Sequence, residues 1–314
     1  MNISVILCTY NRCGTLAKAL DSVAASTFSN SADWEVLVID NNSSDTTREV
    51  VEEFCRRYPG RFRYVLEPRQ GKSHALNTAV REARGGILAF MDDDVTVEQT
   101  WLENLTAPLF NGEWAGTGGR TFPAEKCSTP RWLAFDGPYG MGGILCAHFD
   151  LGDEPRELDR APYGTNKAFR KTMFEQYGGF RADLGPSNSH EIPRPNEDTE
   201  FGRRIMAAGE RLRYEPSAMV YHPVPRDRIR KEYLLTWWFD YGRAAVRETG
   251  KRPDIFGIPR YYLSIPKELA RTLLVSLRWI LAMEPQRRFF LRAQAWYLTG
   301  QLVEVYRQSR RKET

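Results

Sequence analysis

Runs with strand character and stripes with helix character take turns along the first third of the chain. "ISVILCTY" (3–10) is a β-branched apolar run, and in "LAKALDSVAAS" (16–26) Leu16, Leu20, Val23 and Ala24 share one helical face. "WEVLVIDNN" (34–42) reads as a second strand. "TTREVVEEFCRRYPG" (46–60) reads as a helix with a capping-box spacing at Thr46 and Glu49 and a Pro59-Gly60 stop. "FRYVLE" (62–67) and "ILAFMDDD" (87–94) are a third and fourth strand, and the helix between them is closed by Gly85-Gly86. "TVEQTWLENL" (96–105) repeats the capping-box spacing at Thr96 and Gln99.

Such βαβα alternation with continuous apolar strands predicts an α/β fold, a mostly parallel sheet with helices on both faces. From Gly112 to Asp159 Gly, Pro and aromatics dominate, which predicts loops with short strands. "KAFRK" reads as a strand end before a helix stopped at Gly178-Gly179, and "DLGPSNSHEIPRPN" (183–196) as a loop. "EDTEFGRRIMAAGE" (197–210) reads as a helix with Phe201, Ile205 and Ala208 inward, followed by one or two strands in "RLRYEPSAMVYHPV". Three helices then follow, at 229–248, 266–283 and 286–307.

In a parallel sheet ligands bind beyond the carboxyl ends of the strands. Three strands here end in polar clusters, "TYNR", "DNNSSD" and "DDD", which that topology brings to one rim. Buried carboxylates repel and lose hydration, so Asp92, Asp93 and Asp94 need a cation nearby, or else form a solvated turn. Asp92 and Asp94 share a face of an extended segment and suit Mg²⁺ or Mn²⁺; a strand-end acid also suits ribose hydroxyls. A bare DxD does not decide among these. "GKS" (71–73) lacks the P-loop glycine, Leu66 standing in its place, so Lys72 is a phosphate contact or a surface lysine. No GxGxxG follows the first strand. His74, His148, His190 and His222 are scattered, and only His222, at a strand end before Pro223, can join the rim. Glu197-Asp198 opens a helix, where an acid caps the helix or serves as a general base.

The 314 residues suffice for one large domain plus an appendage. The five cysteines, Cys8, Cys13, Cys55, Cys127 and Cys146, lack CxxC spacing and read as reduced thiols. No basic, apolar leader and no long uncharged apolar run are seen, so the expectation is a cytoplasmic protein without a spanning helix. The net charge of +4 is unevenly spread: residues 222–314 hold 19 Lys+Arg against 9 Asp+Glu, which leaves an acidic front and a basic tail.

Together these motifs resemble family 2 glycosyltransferases, the inverting enzymes with the GT-A nucleotide-sugar-binding fold. The matching pieces are "SVILCTYNR", "VLVIDNNSSDTT", "GKSHALNTAV", "ILAFMDDDV", "GTNKAFRK" with "GGF", "NEDTEFGRRIMAAG" and "YHP", in that order over residues 3–224. The resemblance implies a GT-A catalytic domain at 1–224 and leaves 225–314 as a basic, aromatic-rich helical region. It implies that Thr9, Tyr10 and Arg12 line the nucleotide pocket, with Asp40 accepting from the base and Asp92 facing ribose. Asp93 and Lys72 are counted with the donor site, and Asn166 would face donor sugar or acceptor. Asp94 and His222 would hold Mg²⁺ or Mn²⁺, and Asp198, with Glu197 beside it, would be the catalytic base. Asn41 stands where the family often has a second acid, which loosens the inference of a uridine diphosphate sugar donor.

The tail falls outside the resemblance. Leu234, Leu235, Trp237, Trp238, Phe239 and Tyr241 lie among Lys231, Arg243 and Arg247, a composition that suits an anionic membrane surface as well as packing on the catalytic domain. A membrane-facing tail fits a lipid-linked or glycan acceptor at the inner face of the membrane. Nucleic acid is disfavoured, because the rings fall in helical stripes and no binding motif is present. The rival functions are a non-catalytic, membrane-associated nucleotide-sugar-binding protein and a nucleotidyltransferase. The latter usually needs a Gly-rich basic N-terminal loop, which "ILCTYNRCGT" is not.

Overall fold

The computed structural model describes residues 2–28, 33–125, 128–187, 195–249 and 260–310. The expected alternation is present at the start: β1 (Ile3–Thr9), α1 (Cys13–Ala24), β2 (Trp34–Asp40), α2 (Thr47–Arg57), β3 (Phe62–Leu66), α3 (Lys72–Glu82) and β4 (Ile87–Asp92). There follow β5 (Thr96–Val97), α4 (Trp101–Thr106), β6 (Gly116–Pro123), β7 (Arg156–Glu157), β8 (Lys167–Arg170), α5 (Lys171–Tyr177), α6 (Glu197–Ala207) and β9 (Leu212–His222). The tail carries α7 (Lys231–Glu248), α8 (Arg260–Leu281) and α9 (Pro285–Arg310).

One sheet runs in the order β3-β2-β1-β4-β8-β6-β9-β5, with β7 added to β9. Its first four strands are parallel; β8 then pairs antiparallel with both β4 and β6, while β6 and β9 are parallel. Alternation along each strand fills both faces. On one face Val5, Leu7, Val36 and Val38 pack with Leu16 and Leu20 of α1 and Trp101 and Leu105 of α4. On the other Ile6, Leu37, Leu88 and Phe90 pack with Ala75 and Leu76 of α3 and Phe174, Phe201 and Ile205 of α5 and α6. Burying each large aliphatic side chain stabilises by about 1.5–3 kcal/mol, enough to fix the register of these central strands.

Several local expectations give way to tertiary pairing. Thr96 does not cap a helix: Thr96 and Val97 pair antiparallel with Tyr221 and Val220, and α4 begins only at Trp101. At α2 Thr46 makes no capping bond; the Asp45 carboxylate instead accepts from the Thr47 amide at 3.0 Å and from the Cys13 amide at 3.1 Å. α3 ends before the glycine pair, and Gly85 lies so close to the backbone of Ile3 and Ser4 that a Cβ would collide. β6, "GTGGRTFP", is an eight-residue strand in the segment where loops with short strands were expected. Its glycines leave room for neighbours, since a Cβ on Gly116 would strike the Phe169 ring and one on Gly119 the Asn166 amide. Ala208 is exposed rather than inward. Of the loop expected at 183–196, residues 188–194, with His190, lie outside the described residues, as does Cys127. None of the other four cysteines is in a disulfide.

The chain divides into two compact units. One comprises Met1–Lys126, Cys146–Ala182 and Glu197–Pro223 and contains the sheet. The other comprises Cys127–Leu145, Asp183–Asn196 and Val224–Thr314, so two earlier segments belong with the tail. Its core joins Leu133, Met141 and Leu145 to Leu234, Leu235, Phe289 and Ala293. α7 and α9 pack closely, a Cβ at Gly242 or Gly300 being excluded by the facing backbone. Glu304 bridges Arg243 at 3.1 Å and Arg247 at 2.6 Å, so buried charges are paired.

Candidate active site

Parallel register assembles the rim. Thr9 stands opposite Asp40, and Cys8 opposite Asp92, so the carboxyl ends of β1, β2 and β4 lie side by side. The Thr96–Tyr221 pair then carries the residues just before β5 toward the end of β9, which sets Asp94 beside His222. The first turn of α6 brings Glu197 and Asp198 to the same place.

The three acids have their cations. Lys72, the first residue of α3, holds its Nζ 2.9 Å from Asp92 Oδ1 and 3.4 Å from Glu197 Oε1. The Arg12 guanidinium pairs with Asp94 and lies 3.4 Å from Asp93 Oδ1. Burial raises the pKa of Asp92, but Lys72, with His222 and Lys167 behind it, outweighs burial and the net shift is down. Burial also opposes the Lys72 charge, yet Asp92, Glu197 and Asp198 hold its pKa above the ordinary lysine value. Asp93 is pushed up to about 6, by burial first and then by the neighbouring acids, against the pull of Arg12. Lys72 is therefore neither a solvated surface lysine nor part of a P-loop: it ties β4 to α6.

His222 is buried and the Asp94 side chain is only 6% exposed, with His222 Nε2 3.6 Å from Asp94 Oδ1. His222 Nδ1 lies 2.6 Å from the Pro223 carbonyl, which only accepts, so Nδ1 carries the proton. In the neutral ring Nε2 then presents a lone pair beside a carboxylate oxygen, a donor pair suited to a divalent cation. Among the described residues no group of three or more His, Cys, Asp and Glu side chains is arranged around one point. A cation held here would therefore complete its shell with oxygens of a ligand or water, as Mg²⁺ and Mn²⁺ do with phosphates.

Asp198 is partly exposed at the rim. Its Oδ1 accepts from the Thr199 amide at 2.7 Å, and its Oδ2 lies 3.8 Å from Lys167 Nζ. Gly164 leaves room for that carboxylate, since a Cβ at 164 would overlap Oδ2. Lys72, Asp92, Gly164, Lys167 and Asp198 line one small cavity. Lys167 was not singled out from the sequence. It is wholly buried, its Nζ makes no hydrogen bond, and the rings of Phe90, Phe169 and Phe180 surround it. Burial drives its pKa down, against the pull of Asp198 and Glu197. Its local sequence carries no signal of this, since Lys167 opens the short strand KAFR between Asn166 and Arg170.

The remaining expected residues are placed as follows. Thr9 is buried next to Asp93, and Tyr10 is exposed at the end of β1. Asp40 accepts from the Ser43 amide at 2.9 Å and the Tyr64 hydroxyl at 2.8 Å, which shapes the turn after β2. Asn41 fastens the 67–71 loop, donating to the Glu67 and Arg69 carbonyls and accepting from the Gly71 amide. Asn166 is set apart from the others. Its Oδ1 accepts from Trp101 Nε1 at 2.8 Å, and its Nδ2 donates to the carbonyls of Arg120 and Ala218. Its amide holds β8, β6 and β9 together and is not turned toward the acids.

Glu197 provides a pH-dependent test of this arrangement. It is buried, and burial first, then the Asp198 charge, raises its pKa from 4.5 to about 7. A raised carboxyl pKa means that the folded state holds the proton more tightly. Its stabilising share is therefore whole below about pH 4.5 and is lost as pH rises through 7. Glu197→Gln, neutral throughout, is expected to gain in melting temperature over the parent as pH rises from about 4.5 to 8. Thermal scans across that range check this, and a constant difference would refute it.

Residues 4–178 match the family described as Glycosyl transferase family 2. The chain is similar to the Succinoglycan biosynthesis protein ExoM of Rhizobium meliloti, 29% identical over 248 residues that cover 79% of this chain and 75% of the relative. It is 38% identical over 246 residues to Glycosyltransferase AglE of Haloferax volcanii, covering 76% of this chain and 75% of that protein. Among solved structures, the mannosyltransferase PcManGT from Pyrobaculum calidifontis in complex with GDP-Man and Mn²⁺ has the same fold. Its TM-score is 0.62 at 19% identity, with 97% of this chain and 87% of that chain covered.

Proposed function

The chain belongs to glycosyl transferase family 2 and has the GT-A fold, and from that premise we propose an inverting transferase acting on a nucleoside diphosphate sugar. The observation that carries the reading is the single rim shared by Asp92, Asp94, His222 and Asp198, with Lys72 joining the strand-end acids to the α6 pair. The catalytic machinery belongs to residues 1–224. Asp94 and His222 would hold Mg²⁺ or Mn²⁺, which supplies positive charge to the donor diphosphate when bound. The Pyrobaculum mannosyltransferase, solved with GDP-Man and Mn²⁺, supports a donor and ion of this kind. Thr9, Tyr10 and Asp40 border the nucleotide end. The uridine diphosphate sugar stays the first donor to test.

The protein's part in the chemistry is proton transfer and orientation. Asp198 Oδ2 takes the proton of an acceptor hydroxyl as that oxygen forms its bond to the anomeric carbon. The bond from that carbon to the diphosphate breaks on the opposite face, so configuration inverts in one displacement. Lys167, close below Oδ2, balances the carboxylate before the proton arrives. Gly164 keeps the carboxylate's place open. Holding both substrates in line supplies much of the rate. The acceptor fits a hydroxyl of a glycan or lipid-linked saccharide, a class in keeping with the Rhizobium relative, a succinoglycan biosynthesis protein.

The test is release of nucleoside diphosphate from a panel of UDP-, GDP- and TDP-sugars with Mn²⁺, with and without a saccharide acceptor. Free diphosphate whose yield rises with acceptor supports the reading. Pyrophosphate turnover marks a nucleotidyltransferase, and donor binding without turnover marks a binding protein; either overturns it.

A further inference from the structure

No described helix is long and apolar enough to cross a membrane. The aromatic residues of α7 that the sequence singled out are packed within their own unit. Leu234 and Leu235 are buried, and Trp237, Trp238 and Tyr241 stack on one another, with Tyr297 of α9 against Trp238 and Tyr241. In the tail, apart from Tyr306 of α9, the large apolar residues left exposed lie instead on α8 and just after it. Leu269, Leu273, Leu274, Leu277, Ile280 and Leu281 all face solvent, Leu273 at 70% exposure, and Met283 follows at 94%.

This helix shows its broad apolar stripe to solvent, while Trp279 packs edge-on against Trp296 of α9. At about 100° per residue the six apolar side chains form one stripe about 140° wide. The less exposed side, on a helix packed against α9, includes Thr272 and Ser276, which an ordinary surface helix would show to water. Lys267, Arg271 and Arg278 fall within about 40° of one another along a single border of the stripe. All three are exposed, and Arg287 and Arg288 follow, also exposed. Residues 267–288 hold these five cations against Glu268 and Glu284, and Glu268 lies 3.0 Å from Arg271.

We propose that the outward face of α8 seats on an anionic phospholipid bilayer, with its leucines among the acyl chains and its cationic border at the headgroups. The charge pattern selects the occupant. A continuous leucine stripe edged on one side by cations matches a surface whose apolar and anionic layers lie at different depths. A second copy of this chain packed antiparallel on this face would bring like charge to like charge along that border. The inference goes beyond the transfer chemistry, since it concerns where the enzyme works and not how the acids act.

The test uses the full chain and sedimentation with vesicles of phosphatidylcholine, with and without about 30% phosphatidylglycerol. The parent is expected to bind the anionic vesicles at least about tenfold more tightly than the neutral ones at low salt. Leu273→Ser with Leu277→Ser and Ile280→Ser is expected to lose at least about tenfold on anionic vesicles. Arg278→Glu with Lys267→Glu is expected to abolish the preference for the anionic lipid. These positions are exposed, so an unchanged melting temperature certifies the fold. A parent that binds neither vesicle overturns the proposal. So does a parent that is dimeric by light scattering and becomes monomeric with the serine variant, which would make this face an interface between copies. Donor binding, read by calorimetry on the same variants, separates failure of this proposal from failure of the assigned chemistry.

Discussion

Asp198→Asn is expected to lower sugar transfer by about 10²–10⁴-fold, the contribution of a positioned general base, while leaving donor affinity within about twofold of the parent. The substitution keeps the shape of the side chain and an oxygen for the Thr199 amide, and it removes the site for the proton together with the charge facing Lys167. Local structure is thus retained, and a loss of rate is a loss of chemistry. Steady-state rates beside donor calorimetry check the split. Turnover near the parent's would move the base elsewhere, with Glu197 next in line.

The second large effect is at Asp94. Asp94→Ala removes the carboxylate that lies between Arg12 and His222. Donor affinity in the presence of Mn²⁺ is expected to fall by about 100-fold, the upper end of the effect of losing even an outer-shell partner of a metal site. Losing Asp94 also leaves Arg12 with Asp93 alone, 3.4 Å away, so that the guanidinium can then meet phosphate directly. The diagnostic result is therefore the loss of metal dependence, with equal donor affinity with and without Mn²⁺. Calorimetry with a persisting Mn²⁺ requirement in the variant would place the ion on other ligands.

The two experiments probe different ends of one constellation, and the sequence discloses those ends unequally. Asp92 and Asp94 were legible because carboxylates at the end of an apolar strand demand an explanation. The cations that answer the demand come from far earlier in the chain, Arg12 lying 82 residues before Asp94 and Lys72 lying 20 before Asp92, and nothing local to the acids names them. Asp198 was visible only as an acid at a helix start, where capping explains it equally well. In the fold its Oδ2 lies beside Lys167 and over Gly164, which supports the proposed base. Asn166 went the other way: a polar residue in a matching motif whose amide is engaged by Trp101 of α4 and by the carbonyls of Arg120 and Ala218.

The same division holds for the fold. Periodicity located the four parallel strands and three helices at the start because each is amphipathic or apolar over its own length, so local sequence carries the signal. It missed β6, whose glycines carry none, and misread Thr96 and Val97, whose capping signal is weaker than the ladder they form with β9. On the tail it found three helices but could not rank their faces. What the sequence determined by itself was the order of elements and the acids that need company. Tertiary structure decided which residues keep that company and which leucines face outward, because burial and pairing are properties of neighbours that the chain order does not encode.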